Sequence, residues 1–206
     1  MRRIIAPHAP ADEPSRRASW PADLAPAGAP PQLRAMASIA SSIPFLPDVE
    51  KSGNFVRDAW DRMHRIPGGK RLFSALVGRA APYTGTIGAR IEELEVGYAK
   101  VTLKDTPKVR NHLRCVHAIA LANLAEVTGN VAVFYALPDD MRFIVAGLSI
   151  EYLKKARGTL TATSRPPALP SSKEKKEIEV VVEIHDAKGE LCARSTLRTL
   201  IGPKRG

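Results

Sequence analysis

The chain has 206 residues, 44% hydrophobic and 25% charged, the composition of a globular protein with room for one domain and extra segments. Its formal net charge is +10, yet residues 1–50 hold five basic and five acidic residues, so the positive excess belongs to the rest of the chain. Two cysteines, Cys115 and Cys192, cannot make a disulfide framework, and neither sits in a CxxC or Cys/His spacing that would support a metal site.

The cysteines read as reduced core thiols of a cytoplasmic protein. The basic surface attracts phosphates, from a nucleic acid, an anionic membrane or a phosphorylated cofactor. Aromatic residues are only 5% and no recognised nucleic-acid motif is present, so no nucleic-acid partner is expected.

Residues 1–50 carry nine of the 17 prolines, are rich in Ala, Ser and Arg, and show no period. They are expected to be a disordered Pro/Ala-rich segment. Pro7, Pro10 and Pro14 interrupt any apolar stretch of a secretory signal. Three readings fit residues 1–35: a transit segment, a disordered tail, or a mis-assigned start with Met36 as the first residue.

Residues 54–65 are predicted helical, with Phe55, Ala59 and Met63 recurring at i, i+4 and i+8. Pro67-Gly68-Gly69 stops that helix. A second, over residues 70–79, carries Leu72, Phe73, Leu76 and Val77 and ends before Pro82. Residues 51–83 thus form a helical cap expected to pack on a sheet.

The remaining residues, 84–206, read as one domain. Strands are predicted at 87–95 and 98–104, turning at Gly97, with Ala99, Val101 and Leu103 on one side. A long apolar stretch spans 115–138. Strands follow at 143–153, 159–164, 177–185 and 191–201. Two strands, a long helix and four strands predict an α+β fold: an antiparallel sheet wrapped around one long buried helix, with an N-terminal helical extension.

From Cys115 to Pro138 the only formally charged residue is Glu126. A surface helix of that length shows a charged face, so this one is expected to be buried nearly all round. His117, Asn123, Glu126, Thr128 and Asn130 argue against a membrane span. On a helical wheel Ile119, Asn123, Glu126 and Asn130 share one side. A buried carboxylate costs several kcal/mol unless it is paired. Glu126 therefore reads as a general base or nucleophile, or as a carboxylate that pairs with an arginine or caps a neighbouring chain. Asn111, His112 and His117 stand at or just before the helix start, where unpaired N–H groups and the positive dipole end offer an oxyanion site. The small Ala118 lets its N–H approach a carbonyl closely.

The segment VRNHLRCVHAIALANLAEVTG, residues 109–129, resembles the signature of hotdog-fold thioesterases of the PaaI-like group and, within that superfamily, the DUF4442 family. Asn111, His117, Ala118 and Glu126 match the four functional positions of the pattern in order and spacing. EYLKKARGTLTA, residues 151–162, resembles the strand–turn–strand element that follows, and the likeness runs from about residue 60 to 202. Three departures stand out. Ala118-Ile119 replaces a pair that is often Gly-Gly, Arg114 or Cys115 fills a position usually glycine, and Glu126 stands where Asp is commoner.

The resemblance implies a hotdog fold and an acyl-CoA thioesterase working at a dimer interface. Glu126 would activate water or attack the carbonyl, and the Ala118 N–H would polarise the thioester oxygen. Asn111 would orient water or substrate, with His117 in support. Coenzyme A enters as part of the substrate, and no other cofactor is implied. Lys154, Lys155 and Arg157, with Lys173, Lys175 and Lys176, would hold its phosphates, or else form a solvated strand end. A sheet edge would pair with a second copy, giving a homodimer or a dimer of dimers. The alternative is a non-catalytic acyl-CoA or lipid-binding hotdog protein. Val131, Val133, Phe134 and Tyr135 fit either core packing or the wall of an acyl tunnel.

Overall fold

A computed structural model describes residues 54–204, so the segment 1–50 expected to be disordered lies outside the described residues. Asn54 opens the first helix, α1 (Phe55–Met63), where its Oδ1 accepts the Arg57 N–H at 3.0 Å. The expected stripe Phe55, Ala59, Met63 is only partly buried, and Val56 and Trp60 face the interior instead. Trp60 sets this rotation: its large ring meets Phe73 edge-on at 5.1 Å. Helix α2 (Gly69–Ala80) begins after Gly68, whose φ of 79° lies in the left-handed region that glycine tolerates. Ser74 Oγ of α2 accepts the Ile91 N–H at 2.9 Å and ties the helix to the sheet. A short α3 (Pro82–Gly85) follows.

β1 (Arg90–Glu95) and β2 (Tyr98–Leu103) form a hairpin around Val96-Gly97. Ala99, Val101 and Leu103 point inward and are fully buried, as their alternation predicts. The long helix α4 (Ala118–Ala136) comes next, then β3 (Met141–Tyr152), β4 (Leu160–Ser164), β5 (Lys176–His185) and β6 (Leu191–Pro203). The six strands form one sheet in the order β1-β2-β4-β5-β6-β3, and every neighbouring pair is antiparallel.

The sheet curls around α4 in the hotdog arrangement. Ile178, Val180, Val182 and Ile184 of β5 and Ala193, Leu197 and Ile201 of β6 supply much of its buried inner face. The helix packs closely on the sheet at Gly129, where a Cβ would lie 3.1 Å from a methyl of Leu197. Although α4 is long and apolar enough to cross a membrane, here it is the core helix of the sheet. Cys115 and Cys192 are both free and buried.

β3 has a special place. The chain carries it to the far side of β6, so it pairs on one side only and leaves an open edge. A bulge between Val145 and Gly147 interrupts its register. Its inward residues are Phe143 and Val145, then Leu148, Ile150 and Tyr152, each opposite a buried residue of β6.

Candidate active site

The loop before α4 is built on two side chains. Asp105, only 6% exposed, accepts the Arg110 Nε–H at 2.6 Å and the Gly158 N–H at 2.9 Å. The Arg110 guanidinium, helped by the Gly158 N–H, holds its carboxyl below the usual carboxylate range. Asn111 then folds the chain back on itself. Its Oδ1 accepts the Leu113 N–H at 2.9 Å and the Cys115 N–H at 3.4 Å, and its own N–H donates to the Cys115 carbonyl. Arg114 takes the left-handed φ of 54° that the tight loop demands. The acceptor end of the Asn111 amide is therefore used by the loop, and its Nδ2 donates to no group among the described residues.

His117 is the N-cap of α4. Its Nδ1 accepts the Ile119 N–H at 3.1 Å, which puts the proton of the neutral ring on Nε2. The Val109 carbonyl accepts the His117 backbone N–H at 2.8 Å and fixes the cap in place. Leu121 N–H finds the His117 carbonyl, while the Ala118 and Ala120 N–H groups meet no acceptor among the described residues. The N–H expected to serve as oxyanion donor, that of Ala118, is thus unpaired among the described residues. Tyr152 Oη donates to the Ala118 carbonyl at 3.1 Å and joins the end of β3 to the helix start. Burial pushes the Tyr152 phenol up.

Glu126 is half-buried rather than buried, which corrects the expectation of a helix enclosed all round. It belongs to a stripe, Ile119, Ala122, Glu126 and Asn130, that stays exposed or half-buried while the residues between are buried. Glu126 thereby keeps part of its hydration, so it needs no countercharge, and it makes no hydrogen bond or ion pair among the described residues. Asn123 leaves this open stripe. It is 4% exposed, its Nδ2 donates to the Tyr83 carbonyl at 3.2 Å, and its Oδ1 has no partner among the described residues. Ile119, 54% exposed, points away from the core.

The basic residues divide into two groups. Lys154 follows β3, its backbone N–H on the Cys192 carbonyl, with exposed Lys155 and Arg157 just beyond. Val116 N–H bonds the Ala156 carbonyl, so this group sits beside the loop of Asn111. Lys176 pairs with Ile201, at the other end of β6, about 30 Å from Cys192 at strand rise. Lys173, Lys175 and Lys176 therefore do not extend the Lys154 cluster, a correction to the expected single patch. The Lys154 ammonium is also engaged, by Asp186 at 2.9 Å and by Glu190. Both carboxylates raise the Lys154 pKa, and Lys154 in turn lowers Asp186 to about 2. The residues that sequence reasoning missed are Asp105 and Tyr152. Only their placement beside the helix start reveals them.

The family model "Domain of unknown function (DUF4442)" matches residues 69–201. Among solved structures, a structural-genomics protein known as APC5556 is 28% identical with a TM-score of 0.63, over 72% of this chain and 99% of that one. PA5026 of Pseudomonas aeruginosa, described as a protein of unknown function and probable thioesterase, is 20% identical with a TM-score of 0.58, over 67% and 97%. The Haemophilus influenzae thioesterase HI1161 is 17% identical with a TM-score of 0.56, over 65% and 90%. No curated protein matches the chain.

Proposed function

The chain belongs to the DUF4442 family, and we propose that it hydrolyses the thioester of an acyl-CoA. One observation carries this reading: the only charge on the core helix, Glu126, is half-buried and unpaired among the described residues, while the same helix begins with an N–H at Ala118 that is likewise unpaired among them. The thioesterases among the structural relatives support it at the level of the fold.

In this mechanism Glu126 takes a proton from water as the water oxygen attacks the thioester carbon. The developing oxyanion is stabilised by an Ala118 N–H at a helix N-terminus. The tetrahedral intermediate then collapses, the C–S bond breaks, and the thiolate recovers the proton from Glu126. The other form has Glu126 attack the carbon directly, with water cleaving the resulting anhydride. Asn111, with its free Nδ2, orients water or the carbonyl oxygen. The capped His117 holds the first turn of the helix in place for the oxyanion.

Spacing argues for two copies. Ala118 and Glu126 are eight residues apart on one helix, about 12 Å along its axis. A reacting carbonyl must lie about 3 Å from both groups. The site is therefore completed by Glu126 of one copy and Ala118 of another, in a homodimer or a dimer of dimers. The open edge of β3, with half-exposed Leu148 and Tyr152, supplies the pairing surface. Lys155 and Arg157, beside the helix start, would hold phosphates of coenzyme A, and Lys154 would join them only by releasing Asp186 and Glu190.

The test is release of coenzyme A thiol from a panel of acyl-CoAs by the wild type and by Glu126→Gln. The variant is expected to keep its fold and lose about 10²–10⁴ in kcat. Wild-type binding without thiol release would establish the non-catalytic binding protein instead. A fully active Glu126→Gln enzyme would remove Glu126 from the mechanism.

A further inference from the structure

Two hydrogen bonds share one peptide unit at the start of α4. Tyr152 Oη donates to the Ala118 carbonyl at 3.1 Å, and the Ile119 N–H at the other end of that peptide donates to His117 Nδ1 at 3.1 Å. The direction of this chain is fixed. A carbonyl can only accept and an amide N–H can only donate, so the phenol gives its proton to Ala118 and Nδ1 is the bare nitrogen of the neutral ring. The proton of that ring sits on Nε2, which meets no acceptor among the described residues.

Both ends of the chain stand on firm frames. On the strand side Tyr152 pairs with Ala193 of β6, and the Leu153 and Lys154 N–H groups that follow both donate to the Cys192 carbonyl, at 2.8 and 3.2 Å. On the helix side the His117 N–H donates to the Val109 carbonyl at 2.8 Å, and the His117 carbonyl accepts the Leu121 N–H at 3.0 Å. The backbone of His117 is thus held from both sides, and only its ring is left to be oriented. Burial pushes the Tyr152 phenol up, so it stays a donor throughout the neutral range. A donor on one end of a peptide polarises it and strengthens the bond made by the other end.

We propose that Tyr152 is a positioning residue for the thioester reaction: through the Ala118–Ile119 peptide it locks the ring of His117, so that Nε2–H stands beside the Ala118 N–H as a second donor for the developing oxyanion. The proposal rests on the acyl-thioester reading above, which gave His117 only the task of holding the first turn. Tyr152 itself touches no reacting atom. The oxygen gains charge in the transition state, so a misplaced donor lowers kcat more than it raises KM.

The experiment compares Tyr152→Phe with wild type, after thermal unfolding confirms that both fold. Thiol release from acyl-CoAs gives kcat and KM, in the natural background and in His117→Asn, which keeps a helix cap. Nitrogen NMR of the imidazole rings, with His117 identified by its absence from His117→Asn, reports the tautomer without substrate. Tyr152→Phe should lower kcat about threefold to tenfold, the effect of one hydrogen bond, with KM within about twofold. In His117→Asn the same change should lower kcat less than about twofold, because the phenol acts through the ring. The wild-type ring should show a bare Nδ1 and a protonated Nε2, and in Tyr152→Phe both signals should shift toward the average of the two tautomers. Ring signals that shift in a protein releasing no thiol would uphold the link from Tyr152 to His117 and overturn the hydrolase reading instead. A wild-type ring already averaged, ring signals unchanged in Tyr152→Phe, an equal fall of kcat in both backgrounds, or a change in KM alone would overturn the proposal and leave the phenol a strut between strand and helix.

Discussion

Asp105→Ala should loosen the loop that carries Asn111 and His117, and its size follows from the contacts. The Arg110 partner is 41% exposed, so losing that ion pair costs about 0.5–1 kcal/mol. The Gly158 N–H is part-buried and would be left without an acceptor, at about 1–2 kcal/mol. The total, about 1.5–3 kcal/mol, corresponds to about 3–12 °C in Tm for a domain of this size. Asp105→Asn keeps an acceptor for Gly158 and should lose only about 1 kcal/mol. Urea unfolding at pH 7 measures both. The pH dependence is a second check. The folded-state pKa of Asp105 is lowered, so its stabilisation is complete above the ordinary carboxylate pKa and disappears as pH falls through the lowered value. The gap between wild type and Asp105→Asn should hold from pH 7 to about 5 and close in strong acid. An Asp105→Ala protein within about 0.5 kcal/mol of wild type, or a gap that persists unchanged at pH 2, would refute the reasoning.

Two more outcomes follow from the geometry. Asn54 caps α1 with its Oδ1 while its Nδ2 donates to the Phe134 and Leu137 carbonyls at the end of α4, so Asn54→Ala should cost about 2–4 kcal/mol in urea unfolding. Asn54→Asp keeps the α1 cap but turns a carboxylate on those carbonyls, and should be no better than Ala. Ala118→Pro removes the proposed oxyanion N–H at a first-turn position where proline is tolerated, and His117 already has the extended ψ of 142° that precedes proline. That variant and Glu126→Gln should each be inactive alone, yet mixed and reassorted one to one they should recover about a quarter of wild-type activity, from mixed dimers with one intact site of two. No recovery would mean that both groups act within one chain.

The sequence made the core helix and the strand order legible for clear reasons. A stretch of 24 residues with one charge reads as a core helix, and β2 shows its inner face by alternation at Ala99, Val101 and Leu103. The spacing of Asn111, His117, Ala118 and Glu126 was also visible, because the loop and helix that position them are local. The open stripe on α4 was not. Ile119 and Ala122 are apolar though uncovered, so only Glu126 and Asn130 mark the open face. Long-range partners were equally hidden. Lys154 meets Asp186 and Glu190 more than 30 residues away, and the separation of the two lysine groups depends on which end of β6 each one reaches. The rotation of α1 toward Val56 and Trp60 was settled by the size of one indole ring against Phe73, which periodicity alone does not weigh.

The bulge in β3 works as a parity switch. Before it, odd-numbered residues face the helix, and after it even-numbered ones do. Ala146 is the extra residue, the one that pairs with nothing on β6. If all residues were kept but the bulge were ironed out, only one half of the strand could hold its pattern. Either Leu148, Ile150 and Tyr152 would turn outward and bring Ser149 and Glu151 to the inner face, or Phe143 would turn away from Phe134, whose ring it meets at 4.7 Å. A single backbone irregularity thus lets one strand serve both ends of the helix, and chains that share this spacing of apolar residues need the same extra residue at the same place.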